Sequence, residues 1–474
     1  MRRHFLLPAI CLLVVTLTLY HRRSQVCCLQ WPGVSPNHSN VKAAAPKPAP
    51  KPKKKSPTFL SKDTASIYVN SIIHPGSVDF PQLGLPLLEC PKHHPTRYNH
   101  LKPASPNTNT PKTTPTTTTI QYFFALDLRD SLPLLPRLLT TILQTIHFLG
   151  PSHCALSIVE GHSRDGTHEV LSALRPALKK LGIRYHFTTS PINPQSPNGR
   201  IPALADLRNL ALQPLFDAAA SPSNPSSSPV TITPDTTILF LNDIAACPDD
   251  LLELIHQRRS LQADLVCGMD WTYAGGDGDG DSDAAAADPT FYDVWIARTL
   301  KSGDSFFEVP PDGSWDRAGD LFWNDEVAKG RFEKKQPFQV FACWNGGVVF
   351  GAGPLLAGGK NGKGGKGDKE EKGVRFRAAR EGECHQGEPE LFCKDLWYAG
   401  YGKIAVVPTV NFEYSNEAGK KIKEAKGYVS TWVGKKDWKD EGIEWQTEPP
   451  KEVKCMARYD AQVFEPWDKA QPGK

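Results

Sequence analysis

The chain has 474 residues, enough for two or three average domains or for one large α/β domain with additional segments. Its first 60 residues contain ten Lys and Arg and no acidic residue, so the net charge of +4 divides into +10 for this segment and −6 for the rest. A mildly acidic body argues against general binding to nucleic acid, whereas a basic N-terminal segment suits an anionic surface or a solvated tether.

The first predicted element is an apolar segment at residues 5–20, which has two arginines on each side. It is slightly shorter than the ~20 residues that span an average bilayer, and no small-x-small cleavage site follows it. We therefore predict an uncleaved signal anchor with residues 1–4 in the cytosol and the rest in the lumen; a cleaved signal peptide is the alternative. Short spans sort to the thinner membranes of the early secretory pathway.

Residues 21–119 are rich in Pro, Lys and Thr and are predicted to form a stalk, partly ordered at 61–101. The compositions of 32–58 and 102–119 favour extended, solvated chain. Asn37 begins an Asn-His-Ser tripeptide, the acceptor pattern for N-glycosylation, which is consistent with a lumenal stalk.

From Ile120 onward, predicted strands alternate with predicted helices. The strands are predicted at 120–128, 154–160, 183–189, 236–242, 263–270 and 403–410, and the helices at 131–150, 167–182, 200–216 and 249–260. Such alternation implies an α/β fold in which helices cover both faces of a mostly parallel sheet. We predict one domain at 120–460, followed by a tail at 461–474.

Two low-complexity segments, 274–288 and 357–373, interrupt this domain and are predicted to be surface loops. The first has Asp at alternate positions, but Ser282 and Asp288 occupy the places where an EF-hand calcium loop needs Gly and Glu. The second has neither Lys-Ser nor Lys-Thr after its glycines, so it is not a P-loop.

The chain contains 11 cysteines, and no two have the Cys-x-x-Cys spacing of zinc ribbons and thioredoxin-type sites. In a lumenal body, eight of them are available for disulfides. The sequence leaves the connectivity of these eight open: Cys90, Cys154, Cys247, Cys267, Cys343, Cys384, Cys393 and Cys455.

Acidic residues stand at the ends of two predicted strands. Asp243 follows the apolar strand ILFLN, and Asp270 ends the strand LVCGMD. Ligand sites of open α/β sheets lie beyond the carboxyl ends of the strands, where two carboxylates can converge on a hard cation and a phosphate. The alternative is that Asp243 only ends its strand or begins a turn.

Further candidates for binding a nucleotide follow the second strand and lie on the third helix. Glu160 and Asp165, in VEGHSRDGT, can accept hydrogen bonds from a base or a ribose; capping of the next helix is the alternative. Arg200, Arg208 and Asn209 lie in RIPALADLRN, where two arginines about two turns apart can bind a diphosphate. An amphipathic surface helix is the alternative there.

Two later motifs suit a sugar. Trp344 and Asn345, in CWNGGVVF, can stack on a sugar ring and bond its hydroxyls; a buried turn is the alternative. Glu388 lies among acidic residues that precede the last strand, where it can serve as ligand, base or structural group.

The series LSIVEGHSRDGT, RIPALADLRN, ILFLNDIAACPDDLLELI, CGMDW, FYDVWIAR, CWNGGVVF, ELFCKDLW and VVPTV resembles the fungal capsule-associated α-1,3-mannosyltransferase family, glycosyltransferase family 69, over residues 120–414. The resemblance implies a GT-A-type, Rossmann-like glycosyltransferase domain. It implies GDP-mannose as donor, Mn2+ or Mg2+ as cofactor, and retaining transfer of mannose to the 3-hydroxyl of an acceptor mannoside. It also implies a single-pass type II protein of the Golgi membrane.

By this resemblance, Glu160 and Asp165 hold the guanosine, Arg208 lies at the diphosphate, and Asp243 binds the metal. Asp270, Trp344 and Asn345 are expected to border the sugars, with Glu388 at the reacting centre. GT-A enzymes commonly have Asp-x-Asp where this chain has Leu-Asn242-Asp243, so the second metal ligand stays unassigned. The alternatives are a non-catalytic Golgi scaffold or sugar-binding protein of the same fold, and a transferase that uses a UDP-sugar.

Overall fold

The structure is a computed structural model that describes residues 60–76, 83–85, 88–92, 95–103, 118–195, 199–220, 230–273, 288–356 and 373–471. The chain divides into two units, and all of these residues lie in the second, Lys55–Lys474. The predicted anchor, Asn37 and nearly all of both low-complexity segments lie outside the described residues. Within the described residues, we find no helix with the length and apolar character needed to cross a bilayer.

The described strands are β1 (Thr118–Thr119), β2 (Tyr122–Leu128), β3 (Cys154–Glu160), β4 (Arg184–Thr189), β5 (Val230–Thr231), β6 (Thr237–Leu241), β7 (Leu265–Tyr273), β8 (Pro289–Phe291), β9 (Arg298–Thr299), β10 (Phe338–Ala342), β11 (Gly347–Gly351), β12 (Ile404–Phe412), β13 (Glu452–Arg458) and β14 (Ala461–Pro466).

The described α-helices are α1 (Lys62–Ile73), α2 (Pro95–Tyr98), α3 (Leu135–Leu149), α4 (Thr167–Ala173), α5 (Arg175–Lys180), α6 (Arg200–Ala220), α7 (Pro248–Ser260), α8 (Glu326–Glu333), α9 (Gly353–Leu356), α10 (Glu388–Tyr398), α11 (Asn416–Lys426) and α12 (Val429–Val433).

The central sheet has the strand order β4-β3-β2-β6-β11-β7-β12-β10-β9, and β8 pairs with β7. Strands β2, β3, β4 and β6 are parallel, as are β7 and β12, and β11 runs antiparallel between β6 and β7. Six main strands therefore point the same way, so their carboxyl ends meet at one edge of the sheet. The predicted mixed α/β fold with a mostly parallel central sheet is confirmed.

Two apolar cores lie on opposite faces of the sheet. Along β2, Tyr122 and Phe124 belong to one core, and Phe123 and Ala125 belong to the other. This alternation is the two-residue period of a strand that is buried on both faces. Helices α1, α3 and α7 contribute to the first core, and α6 and α10 to the second.

The folded region begins earlier than residue 120. Helix α1 is capped by Ser61, whose Oγ accepts a hydrogen bond from Thr64 N, and its apolar residues join the first core. A disulfide joins Cys90 to Cys247, at the start of α7. The described parts of 61–101, where partial order was expected, therefore pack onto the domain that was predicted to begin at residue 120.

The first residues of the predicted tail form β14, which pairs antiparallel with β13. The β13 residues Val453 and Met456 are buried, and a disulfide joins Cys384 to Cys455. The folded region therefore continues past residue 460. A third disulfide joins Cys267 to Cys343, so six of the eight candidate cysteines are paired, while Cys154 and Cys393 are free and buried.

The helix predicted at 167–182 is two short helices, α4 and α5, which meet at Leu174. Pro176 lies in the first turn of α5. A proline there lacks the N–H that would continue the ladder from α4, whereas the first turn of a new helix tolerates it.

Candidate active site at the carboxyl edge of the sheet

The site is built around the end of β6. After Leu241 the chain leaves the strand, Asn242 N donates to Gly346 O at 2.9 Å, and the Asp243 side chain is exposed at the carboxyl edge. This is where ligand sites form in open α/β sheets. Because its side chain is exposed at this edge, Asp243 is accessible to a ligand.

Arg208 is the central cation of the site. It projects from α6 and is almost completely buried. Its Nε donates a hydrogen bond to Glu388 Oε1 at 2.8 Å, and its Nη1 lies 3.8 Å from Asp127 Oδ1. The guanidinium carbon lies 4.4 Å from the centre of the Trp344 ring, within range of a cation–π contact. Within the described residues, Nη1 is buried and makes no hydrogen bond. One donor of Arg208 is therefore unsatisfied.

Asp127 is a site residue that the sequence analysis missed. It lies near the carboxyl end of β2, next to β6 in the sheet, and its carboxylate is largely buried. Burial raises the pKa of Asp127 to about 6; Arg208 opposes the rise, and the charges of Glu388 and Asp243 add to it. The available signal was the same as for Asp243, an acid near the end of an apolar strand.

A second carboxylate group lies beneath the ends of β7 and β12. Asp270 is buried, and its Oδ2 accepts a hydrogen bond from Tyr414 Oη at 2.6 Å. Burial and the charge of Asp293 raise the pKa of Asp270 well above its usual range. Among the described side chains, Asp270 Oδ1 is buried without a hydrogen-bond partner. Asp270 therefore lies buried in the floor of the candidate site, and its expected place beside the sugars stays a prediction.

Asp293 was also missed, although it lies in the quoted motif FYDVWIAR. Its Oδ2 accepts a hydrogen bond from Asn345 N at 3.1 Å. Burial raises the pKa of Asp293 to about 6, and Arg298 and Arg208 oppose the rise. Asp293 therefore links the carboxylate of Asp270 electrostatically to the Arg208–Glu388 pair.

Trp344 and Asn345 lie under the site rather than on its surface. Trp344 Nε1 donates to Asn242 Oδ1 at 3.1 Å, and Asn345 Nδ2 donates to Gly268 O at 2.9 Å. Both side chains are buried, and the turn needs positive φ at Asn345 (50°) and at Gly346 (79°). The expectation that they stack on and bond a sugar is corrected in favour of the buried turn, because internal partners use these groups.

Glu160 and Asp165 organise the loop after β3. Glu160 Oε2 lies 3.1 Å from His168 Nδ1, and the Asp165 oxygens accept hydrogen bonds from Leu132 N at 2.8 Å and Thr167 N at 3.0 Å. Both oxygens of Asp165 are therefore occupied at the start of α4. The N-cap of α4 is Gly166, without a side-chain cap hydrogen bond, so Asp165 supports the loop before the helix and is not its cap.

The other two residues of RIPALADLRN differ in their surroundings. Asn209 holds the backbone of Phe376, donating to its O at 2.8 Å and accepting from its N at 3.1 Å. Arg200 is exposed at the first position of α6. Its positive charge opposes the rise in the pKa of Tyr292, so Arg200 lies within electrostatic reach of the site.

Arg298 and Glu390 form a buried ion pair next to the site, with Nη2 3.3 Å from Oε2. Arg298 also donates to Val294 O at 3.0 Å and to Trp295 O at 3.1 Å, which fixes the chain that carries Asp293. Burial raises the pKa of Glu390 to about 8.

In the described part of the chain, two groups of three candidate metal ligands come together, and neither lies at Asp243. The first contains Cys247, which is in a disulfide, and Asp250, which is paired with Lys423 at 2.6 Å. In the second, Glu253 and Asp440 are both paired with Arg97. Both groups therefore have structural partners.

These features define an α/β protein with a charge-rich candidate ligand site at the carboxyl edge of its sheet. A family model described as Cryptococcal mannosyltransferase 1 matches residues 121–395. The chain is also 30% identical over 347 residues to the protein named alpha-1,3-mannosyltransferase CMT1 from Cryptococcus neoformans, covering 71% of this chain and 67% of that protein. The chain belongs to this family of fungal mannosyltransferases, and the resemblance stated from the sequence is confirmed.

Two solved structures show weaker similarity. The mannosyltransferase PcManGT from Pyrobaculum calidifontis, in complex with GDP-Man and Mn2+, is 10% identical, with a TM-score of 0.32 and coverage of 75% of this chain and 68% of that chain. GalNAc-T7 with UDP, GalNAc and Mn2+ is 12% identical, with a TM-score of 0.33 and coverage of 62% and 43%. At these TM-scores the similarity does not define a shared fold.

Proposed function

We propose that this protein transfers mannose from GDP-mannose to the 3-hydroxyl of an acceptor mannoside, with retention of configuration, in fungal glycan synthesis. Family membership supports mannosyl transfer, and the relative's name supports the α-1,3 linkage. The observation that carries the proposal is the buried Arg208 with an unsatisfied N–H, together with the exposed Asp243 at the carboxyl edge; the charges of both residues act on the carboxylate of Asp127.

Arg208 is suited to bind the diphosphate of the donor. Glu388 and the Trp344 ring fix its guanidinium in one orientation, so little side-chain freedom remains to be lost on binding. A phosphate oxygen that accepts from Nη1 would supply the hydrogen bond that this buried donor lacks. Arg200, exposed on the same helix, adds a second positive charge.

The site also suits a hard divalent cation. Burial is the main cause of the raised pKa of Asp127, and the negative charge of Asp243 adds to it; a bound cation would relieve this repulsion between the two carboxylates. Asp243 would hold Mn2+ or Mg2+, with Asp127 as the candidate second acid that Asn242 does not provide. When bound, the cation would neutralise charge that develops on the diphosphate leaving group.

In the proposed reaction, the bond between mannose C1 and the diphosphate oxygen breaks. A bond forms from C1 to the acceptor's 3-oxygen, and the acceptor proton moves to the departing phosphate. Glu388 is engaged by Arg208 and is 3% exposed, so we assign it to positioning rather than to covalent attack on C1. Arg208 stabilises the charge of the departing GDP.

A donor and acceptor screen on the purified full chain tests this function. We expect mannose transfer from GDP-mannose to α-mannosides, an α-1,3 linkage in the product by NMR, and competition by GDP stronger than by UDP. Stronger competition by UDP would instead establish a UDP-sugar transferase.

One observation favours a non-catalytic scaffold or sugar-binding protein as a second candidate. Asn242 replaces an acid of the Asp-x-Asp pattern, and its Oδ1 accepts the Trp344 Nε1 hydrogen bond. A scaffold would release no GDP from GDP-mannose, either with or without α-mannosides, and this assay separates the two functions.

We further propose a single-pass type II location in the Golgi membrane. The support is the apolar segment at residues 5–20 and the basic residues that flank it. Protease protection of intact Golgi vesicles tests the topology. A lumenal domain is protected until detergent is added, and digestion of intact vesicles would contradict the proposal.

A further inference from the structure

Few large hydrophobic side chains are exposed in the described part of the chain, and two of them flank a carboxylate of the site. Tyr292 is 48% exposed and Trp295 is 38% exposed, and Asp293 lies between them in the sequence. The neighbouring residues Phe291 and Val294 are buried in the core. The segment is therefore anchored, with its two polar-tipped aromatic rings turned to solvent.

Tyr292 is tied directly to the floor of the site. Its backbone N donates to Asp270 O at 3.1 Å, and its ring centre lies 5.2 Å from that of Tyr414, whose hydroxyl donates to Asp270. The charges of Asp293, Asp270 and Asp243 all act on the Tyr292 hydroxyl. Its exposed ring therefore lies against Tyr414, whose hydroxyl is bonded to Asp270, and within electrostatic reach of Asp243.

Trp295 is also fixed by contacts of its backbone and of its ring. Its carbonyl accepts from Arg298 Nη2 at 3.1 Å, and that guanidinium is paired with Glu390, two residues after Glu388. The Trp295 ring centre lies 4.7 Å from that of Tyr459 at an interplanar angle of 40°. A ring that is already fixed by such contacts loses little freedom when a ligand stacks on it.

The chemistry of this surface matches a hexopyranose. A sugar ring offers a face of C–H groups, which packs on aromatic rings, and hydroxyls, for which carboxylates are strong acceptors. From this arrangement we infer that Tyr292 and Trp295 form the binding platform for the acceptor mannoside, and that Asp293, which lies between them in the chain and is partly exposed, accepts hydrogen bonds from its hydroxyls. The inference rests on the proposed function and assigns the acceptor side of the same site.

The test compares Tyr292→Ala and Trp295→Ala with the wild-type full chain. We expect each substitution to raise the KM for methyl α-mannoside about tenfold, because the stacking contact is lost. The KM for GDP-mannose and the rate of GDP release without acceptor should change less than about twofold. The conservative variants Tyr292→Phe and Trp295→Phe keep a ring and should restore most of the acceptor affinity.

Trp323→Ala is the matched control, because Trp323 is also 38% exposed but lies outside the segment that carries Asp293. It should leave both KM values unchanged. Thermal melting monitors the folding of each variant. If an Ala variant of Tyr292 or Trp295 melts early, a Leu variant at that position replaces it, because Leu keeps apolar volume but has no aromatic ring.

Binding of methyl α-mannoside is also measured by saturation-transfer NMR, independently of turnover. Wild-type transfer with unchanged acceptor KM and unchanged NMR binding in both Ala variants would overturn the platform while leaving the proposed function intact. Absence of both mannoside binding and mannose transfer in the wild type would overturn both.

Discussion

The Arg208–Glu388 pair gives the most specific energetic prediction. Its two side chains are 8% and 3% exposed, and their hydrogen bond is 2.8 Å long. Removing one partner of a buried ion pair costs about 3–5 kcal/mol, because the other charge stays buried and unpaired. Arg208→Met leaves both Glu388 and Asp127 without their cation, so we expect a loss at the upper end of that range.

A double-mutant cycle separates the pair from its surroundings. We expect Glu388→Gln also to destabilise the protein, and the double variant to lose less stability than the sum of the single losses by roughly 1–3 kcal/mol. The assay is urea unfolding followed by fluorescence. Strict additivity of the two substitutions would refute the pairing. All three variants should lose mannose transfer, because each removes or misplaces the proposed diphosphate ligand.

Three further predictions concern the site and its supports. Asp293 has a folded-state pKa of about 6, raised from the ordinary 3.8. Because the folded state then binds more protons than the unfolded state, the free energy of unfolding should fall as the pH rises from 4 to 6. In urea unfolding measured at several pH values, Asp293→Asn should flatten this decline. Replacing Cys90 and Cys247 by Ser opens a link across 157 residues and should cost about 2–5 kcal/mol, with earlier proteolysis near α1. Trp344→Phe removes the hydrogen bond to Asn242 and should cost about 1 kcal/mol in thermal melting.

The apolar patterns predicted the sheet well. The strand Cys154–Glu160 has the predicted bounds, and β2, β4, β6 and β7 lie within or overlap the predicted segments. Strands that are buried on both faces read as nearly continuous apolar runs, which makes them visible in a sequence. By contrast, β14 has mostly exposed or half-exposed residues, so only its pairing with β13 distinguishes it from a tail.

The site was harder to predict, because the partner of a side chain is set by distant parts of the chain. Glu388 lies 180 positions from Arg208, and no local pattern shows that they meet. Asp127 stands near the end of its strand, but its part in the candidate site depends on the pairing of β2 with β6, which the sequence does not show. The sequence around Trp344 is equally compatible with a ring that faces a sugar and with a ring that faces the core. The fold placed it in the core, where it supports Arg208.

The central claim is tested most directly at the two ends of β6. Asp243 lies at the carboxyl end, and Asp235 is exposed just before the amino end, so Asp235→Ala is a matched control for Asp243→Ala. With GDP-mannose, Mn2+ and an α-mannoside, we predict that the control keeps wild-type transfer and that Asp243→Ala loses it by about 100-fold or more. Transfer by Asp243→Ala at the wild-type rate, with unchanged dependence on Mn2+, would contradict the account.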